Sequence, residues 1–205
     1  MLGSRSPRRL ELLQQIVPVA AIDVLPPRSS AEASFDGLAD WPAIEGRLLE
    51  IARAKCVDVL DQLSARPADP QRIVITADTI VVVRGNGGRL VVLGQPPEDA
   101  SWPEVVRRWF LDYYAGQTHE VATAFCVAKA GMPRVERIVR SAVTFHDDVT
   151  RQLDWYLATG EPRGKAGGYA VQGAGGIFIS RIDGSLSNVV GLPLRELVEV
   201  LSTNT

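Results

Sequence analysis

Apolar residues along the chain recur first at helical and then at extended intervals, and the alternation continues to the C-terminal end. Leu10, Leu12, Leu13, Ile16 and Val17 form a helical stripe behind Ser6 and Pro7, which read as N-cap and first helical residue, and Pro18 stops the run. VAAIDVL (19–25) is strand-like, and the breaker-rich PPRSSAEASFDG (26–37) is a loop. From Trp41 to about Leu63 the positions Ile44, Leu48, Ile51, Ala52, Cys56, Val59 and Leu60 mark a long amphipathic helix. RIVITADTIVVV (72–83) reads as a buried strand, and GNGG (85–88) as a hairpin turn into RLVVLG. A second amphipathic helix covers EDASWPEVVRRWFLDYYAG, with Gly116 as its C-cap.

Two further strands are expected at 120–130 and 135–145, separated by a loop holding Gly131 and Pro133. DDVTRQLDWYLATG predicts an acid-capped helix ending at Gly160, and LRELVEVL a last helix. Between them lies a glycine-dense stretch, EPRGKAGGYAVQGAGGIFISRIDGSLSNVVGLP (161–193). Hairpin-joined strands mixed with helix-separated ones predict a mixed α/β sheet with flanking helices, not a doubly wound parallel one. With no repeat and no clear linker, residues 1–205 read as a single domain.

Composition narrows the class. A net charge of −2 argues against a nucleic-acid binder held by bulk electrostatics, and the chain lacks an aromatic-basic face. Cys56 and Cys126 lie in apolar segments and read as reduced core residues of a cytoplasmic protein. With only His119 and His146 beside them, a zinc site is not expected. The N-terminal arginines have no apolar stretch behind them, so no signal peptide is expected. The longest apolar run, IVITADTIVVV, is too short to span a bilayer, so no membrane partner is expected either.

Three places carry candidate chemistry. In LGSRSPRRLELL, Arg8 and Arg9 occupy the first helical turn, where cations are disfavoured by a few tenths of a kcal/mol each. They become favourable beside a polyanion, since guanidinium forks bind phosphate oxygens in pairs; solvated surface arginines are the alternative. Asp78 stands in the middle of the apolar run 73–82, where an unpaired buried carboxylate costs several kcal/mol. Either it faces a cleft as a base or metal ligand, or it sits at a bulge or strand end accepting backbone hydrogen bonds. Glu32 in its loop and Lys55 on the apolar side of the long helix are weaker candidates, because such residues are usually solvated or snorkel. In EPRGKAGGYAVQGAGG, the glycines permit close backbone approach, Lys165 offers a cation and Gln172 an amide suited to a nucleobase edge. A glycine-rich meander with one exposed lysine would read the same way.

Together, SRSPRRLELL, ITADTIVV and KAGGYAVQGAGGIFISRIDGSLSNVVGLPL resemble the Maf family of nucleoside triphosphate pyrophosphatases, over about residues 2–201. The resemblance implies the mixed fold shared with inosine triphosphate pyrophosphatases, an elongated sheet with a cleft between two lobes. It also implies metal-dependent cleavage between the α and β phosphates of a nucleoside triphosphate. By motif position, Asp78 is the implied general base or metal-linked carboxylate, with Glu32 as second carboxylate and Mg²⁺ or Mn²⁺ as the metal. Arg9, Lys55 and Lys165 are the implied phosphate-side cations, and Ser4 and Ser6 line the site. Arg8, Thr79 and Gln172 occupy the positions at which branches of the family differ, and the combination is similar to the dTTP/UTP-cleaving branch. Gln95 departs from the family, which has lysine in this L-G-K-P position. Only Met1 to Gly3 precede the serine motif, which implies a shortened first strand. The rival expectation is a non-catalytic nucleotide-binding regulator of cell division. A homodimer is left open.

Overall fold

The computed structural model describes residues 1–29, 33–67 and 69–203. Two twelve-residue strands, β2 (Ile73–Arg84) and β4 (Thr118–Lys129), pair antiparallel and form the spine of a six-stranded sheet. β1 (Leu2–Gly3) lies parallel to β2, and β3 (Leu90–Leu93) returns antiparallel to it across the expected turn. On the other side β5 (Val135–Phe145) and β6 (Ile179–Asp183) extend the sheet antiparallel. This is the mixed α/β sheet with flanking helices that the pattern calls for.

Both faces of β2 are covered, which is why its sequence is a nearly unbroken apolar run. Val74, Ile80 and Val82 face α2 (Trp41–Ser64), which lays Ile44, Leu48, Ala52, Cys56 and Val59 against them. Burying each such large side chain contributes about 1.5–3 kcal/mol. On the opposite face Ile75 and Ala77 pack with α1 (Pro7–Leu13) and α6 (Leu194–Thr203) through Leu12, Leu13 and Leu197. Val81 and Val83 join an aromatic cluster of Phe110, Tyr114, Phe145, Tyr156, Tyr169 and Phe178. Cys56 and Cys126 are buried thiols in the core, as their apolar settings predict.

Three local expectations are corrected. Residues 19–25 are not a strand: Val19–Ala21 make one 3₁₀ turn, and only Val24 bridges Leu2. The available partner, β1, is itself two residues long, and Pro26 and Pro27 end any further pairing. The second long helix is α3 (Trp102–Trp109) followed by a π-helical turn at Phe110–Tyr114, with the Ala115 N–H donating to the Phe110 carbonyl. The fourth helix, α4 (Thr150–Ala158), has no side-chain cap; Asp148 pairs with Arg151 at 3.2 Å instead. The glycine-dense stretch from 161 to 193, to which the sequence pattern assigns no element, contains β6 and α5 (Leu186–Val190).

His119 on β4 is 2% exposed, and its Nε2 lies 2.7 Å from the Tyr169 hydroxyl. Burial lowers the imidazole from its ordinary 6.5 to about 3. The unfolded chain therefore binds a proton between these values that the folded chain does not. His119 contributes its stability in full above pH 6.5 and loses it as pH falls toward 3. His119→Phe should remove one proton from this dependence, flattening the fall in unfolding free energy by up to about 1.4 kcal/mol per pH unit, read by urea denaturation at descending pH.

Candidate active site in a notch of the sheet

β2 has two partners on one edge and a gap between them. β1 covers it at Ile75 and Thr76, and β3 begins to cover it only at Val81. Residues 77–80 thus pair with β4 on one side and open into a notch on the other. The chain leaves β1 at Ser4 and leaves β3 at Gly94, so both exits turn into the same notch. Together with the glycine-rich segment they enclose a cavity of about 700 Å³. Ser4, Ser6, Arg8, Arg9, Lys55, Asp78, Thr79, Lys165 and Gln172, the residues singled out in the sequence, all line it. Glu32 lies outside the described residues.

Asp78 is in register opposite Ala124 in the middle of the ladder, so it is at neither a bulge nor a strand end. It points to the α2 face, where Lys55 Nζ donates to its Oδ1 at 2.6 Å. The two side chains are only 10% and 16% exposed. A largely desolvated pair of this kind is weak evidence for stability, because its attraction is set against the loss of hydration.

Thr79 points to the other face. Thr123 donates its hydroxyl proton to the Asn188 carbonyl at 3.1 Å, so Thr79 donates to Thr123 at 2.9 Å and accepts from Arg9 Nη2 at 3.0 Å. Arg9 Nε also donates to the Gly191 carbonyl at 2.9 Å, and Nη1 to Ser4 Oγ at 3.4 Å. Arg9 is therefore a fixed charge that clamps α1 to β2 and to the end of α5. Ser6 caps α1 by accepting from the Arg9 N–H at 3.4 Å, and its own N–H donates to Ser4 Oγ at 3.1 Å.

The far wall is the glycine-rich segment. The Gly167 N–H donates to the Gly94 carbonyl at 2.9 Å and joins this wall to the exit of β3. Gly167 has φ +70, and a Cβ there would meet the Tyr114 hydroxyl at 2.6 Å and Val81 at 2.7 Å, so no other residue fits. Lys165 Nζ donates to the Glu161 carbonyl at 2.6 Å. Burial, and next the nearby charge of Arg8, push this ammonium below the ordinary lysine value, while Glu161 opposes them.

Among the described residues the cavity is lined by five cationic side chains (Arg5, Arg8, Arg9, Lys55 and Lys165) and two carboxylates (Asp78 and Glu98). Arg5, Glu98 and Tyr169 escaped the sequence reading. Arg5 and Tyr169 stood in quoted motifs, beside the serines and among the glycines, but nothing local marked Glu98. Asp78 supplies the hard oxygen donors that Mg²⁺ or Mn²⁺ prefers, and such ions are commonly shared between one or two carboxylates and substrate phosphates. Asp78 fits that use as a single ligand, with substrate oxygens completing the set. Among the described residues no group of three His, Cys, Asp or Glu could hold a metal ion.

A mixed α/β sheet whose notch pairs one buried carboxylate with converging cations defines a protein built to hold a phosphorylated ligand. Residues 1–204 match the family described as Maf-like protein, and the chain belongs to that family. It is 38% identical to a dTTP/UTP pyrophosphatase of Anaeromyxobacter sp. (strain Fw109-5), over 98% of this chain and 87% of the relative. It is 39% identical to the protein of the same name from Anaeromyxobacter dehalogenans (strain 2CP-C), over 98% and 91%. A relative of that name from Syntrophus aciditrophicus (strain SB) is 36% identical over 98% and 87%. Among the described residues no helix is long and apolar enough to cross a membrane.

Because Lys165 is deprotonated earlier than an ordinary lysine, inorganic pyrophosphate should bind with proton uptake on the alkaline side. Its affinity should fall as pH rises while free lysines are still charged, and Lys165→Arg should hold the affinity to higher pH. Calorimetric titration across pH reads both effects.

Proposed function

We propose that this protein hydrolyses dTTP and UTP to the nucleoside monophosphate and pyrophosphate. The observation that carries the reading is the Lys55–Asp78 pair, set in the open edge of β2 and sharing one cavity with Arg8 and Lys165. The names of the relatives at 36–39% identity supply the substrate class.

The chemistry follows from the charges. Water must attack an α-phosphorus surrounded by anionic oxygens, so the barrier falls where fixed cations neutralise them. Arg8 and Lys165 hold the triphosphate from the helix start and the opposite wall, with Arg9 as a fixed charge beneath. Asp78 orients the attacking water and takes its proton, and Lys55 keeps the carboxylate aimed into the notch. The new bond forms between water oxygen and the α-phosphorus, and the bond to the bridging oxygen breaks, releasing pyrophosphate. Asp78 would hold Mg²⁺ or Mn²⁺ through its carboxylate, and the ion would supply neutralisation of phosphoryl charge.

Gln172 faces the cavity with an amide that can both donate and accept, as a pyrimidine edge bearing carbonyl oxygens and an N–H requires. Thr79, at a position where branches of the family differ, has its hydroxyl engaged by Arg9 and Thr123; we assign it to holding Arg9 in place. Gln95 also lines the cavity, as a neutral amide where the family has lysine. Losing that charge-assisted contact weakens phosphate binding by about 1–2 kcal/mol. A pure nucleotide-binding regulator gains nothing from a carboxylate among phosphate-binding cations, and so fits the site less well.

Asp78→Asn should cut pyrophosphate release from dTTP by about 10²-fold or more while the far-ultraviolet circular dichroism stays that of the parent. Turnover near the parent's would remove Asp78 from the mechanism. Gln172→Glu should lower kcat/KM for dTTP and UTP by about tenfold or more relative to other nucleoside triphosphates, because it trades a donor for a repelled charge. An unaltered profile across a nucleotide panel would count against base reading at that position.

A further inference from the structure

Glu161 lies behind the cavity wall, outside the lining, and its atoms reach the Lys165 ammonium and the turn that follows Gln172. Its carboxylate accepts from two consecutive backbone N–H groups, Ala174 to Oε2 at 2.7 Å and Gly175 to Oε1 at 2.8 Å. These follow directly on Gln172 and Gly173. The Tyr156 hydroxyl lies 3.2 Å from Oε1, and burial followed by the Glu161 charge pushes that phenol above its ordinary range. The backbone carbonyl of Glu161 takes the ammonium of Lys165 at 2.6 Å. One residue thus holds Lys165 by its main chain and the turn after Gln172 by its side chain.

Gly173 shows how close this fit is. Its φ of −113 suits any residue, so the glycine is not there for backbone freedom. A Cβ at that position would instead run into the Glu161 carboxylate, at overlapping distance from Oε2 and at 2.7 Å from Cδ. Position 173 is left bare so that the carboxylate can seat against the backbone. Two charge-assisted bonds to adjacent amides pin a short turn more tightly than neutral ones, and they cost little reorganisation once formed.

We propose that Glu161 is a positioning residue for substrate selection, setting the Gln172 turn and the Lys165 ammonium as one unit against the bound nucleotide. This rests on the pyrophosphatase reading. Glu161 touches no substrate; its effect is exerted through Gln172 and Lys165. Loosening the anchor frees the base-reading amide more than it disturbs Asp78 and Lys55 on the other side of the notch. Substrate binding and choice should therefore suffer before the chemical step does.

The test uses two variants of the full chain. Glu161→Gln replaces one acceptor oxygen by an NH₂ that faces a backbone donor, and Gly173→Ala keeps the carboxylate but displaces it. In both, KM for dTTP should rise by about tenfold, more than kcat falls, and the preference for dTTP and UTP over purine triphosphates should narrow. Amide exchange at Ala174 and Gly175 should quicken in the same variants. KM and preference equal to the parent's, with only stability or exchange altered, would overturn the proposal and leave Glu161 a structural brace. If Glu161→Gln does not fold, Gly173→Ala decides by the same criteria. If the parent chain itself releases no pyrophosphate, the functional reading fails separately. Calorimetric dTTP affinity then decides for Glu161: weakened by both variants it stands, unchanged it falls.

Discussion

The ion pair between Lys55 and Asp78 is the constraint around which the rest is arranged. A carboxylate placed in the central strand of a sheet, with both faces packed, has to find a cation or open space, and the structure provides both. α2 brings Lys55 down onto it at 2.6 Å, and the missing stretch of edge pairing along 77–80 opens it to the cavity. Apolar residues of similar volume would fill the same positions at no cost in stability, and often with a gain. What they could not do is present an ionised oxygen to a ligand lying in the notch.

The cavity walls obey the same logic with opposite sign. Arg8 and Lys165 approach from separate segments, and burial, followed by the charge of Arg8, makes the lysine harder to keep charged. Such a juxtaposition is relieved by an anion between them. The surroundings hold the groups still: Arg9 is tied to Ser4, Thr79 and Gly191, and Gly167 locks the glycine-rich wall to the exit of β3. A preorganised set of charges is what lowers the barrier for attack on a crowded phosphate, since little reorganisation is left for the moment of reaction.

Much of this was legible in the sequence for identifiable reasons. β2, β4, β5 and α2 declared themselves because each is long and its period is enforced by burial. Asp78 stood out because a carboxylate contradicts the run that contains it. Short elements were not legible. Residues 19–25 look strand-like but have almost no edge to pair with, and β6 and α5 follow so many glycines that their own periods are too brief to read. The Lys55–Asp78 contact spans 23 positions and depends on how α2 crosses the sheet. Glu161 was invisible for a similar reason: the backbone N–H partners of its carboxylate lie 13 and 14 positions away, in a turn whose shape no local pattern encodes.

Where water attacks decides the mechanism. Hydrolysis of dTTP in ¹⁸O-labelled water, with the products separated by mass, locates the new bond directly. Attack at the α-phosphorus places the label in the nucleoside monophosphate and leaves the pyrophosphate unlabelled. Label in the pyrophosphate, or orthophosphate as the first product, would contradict it.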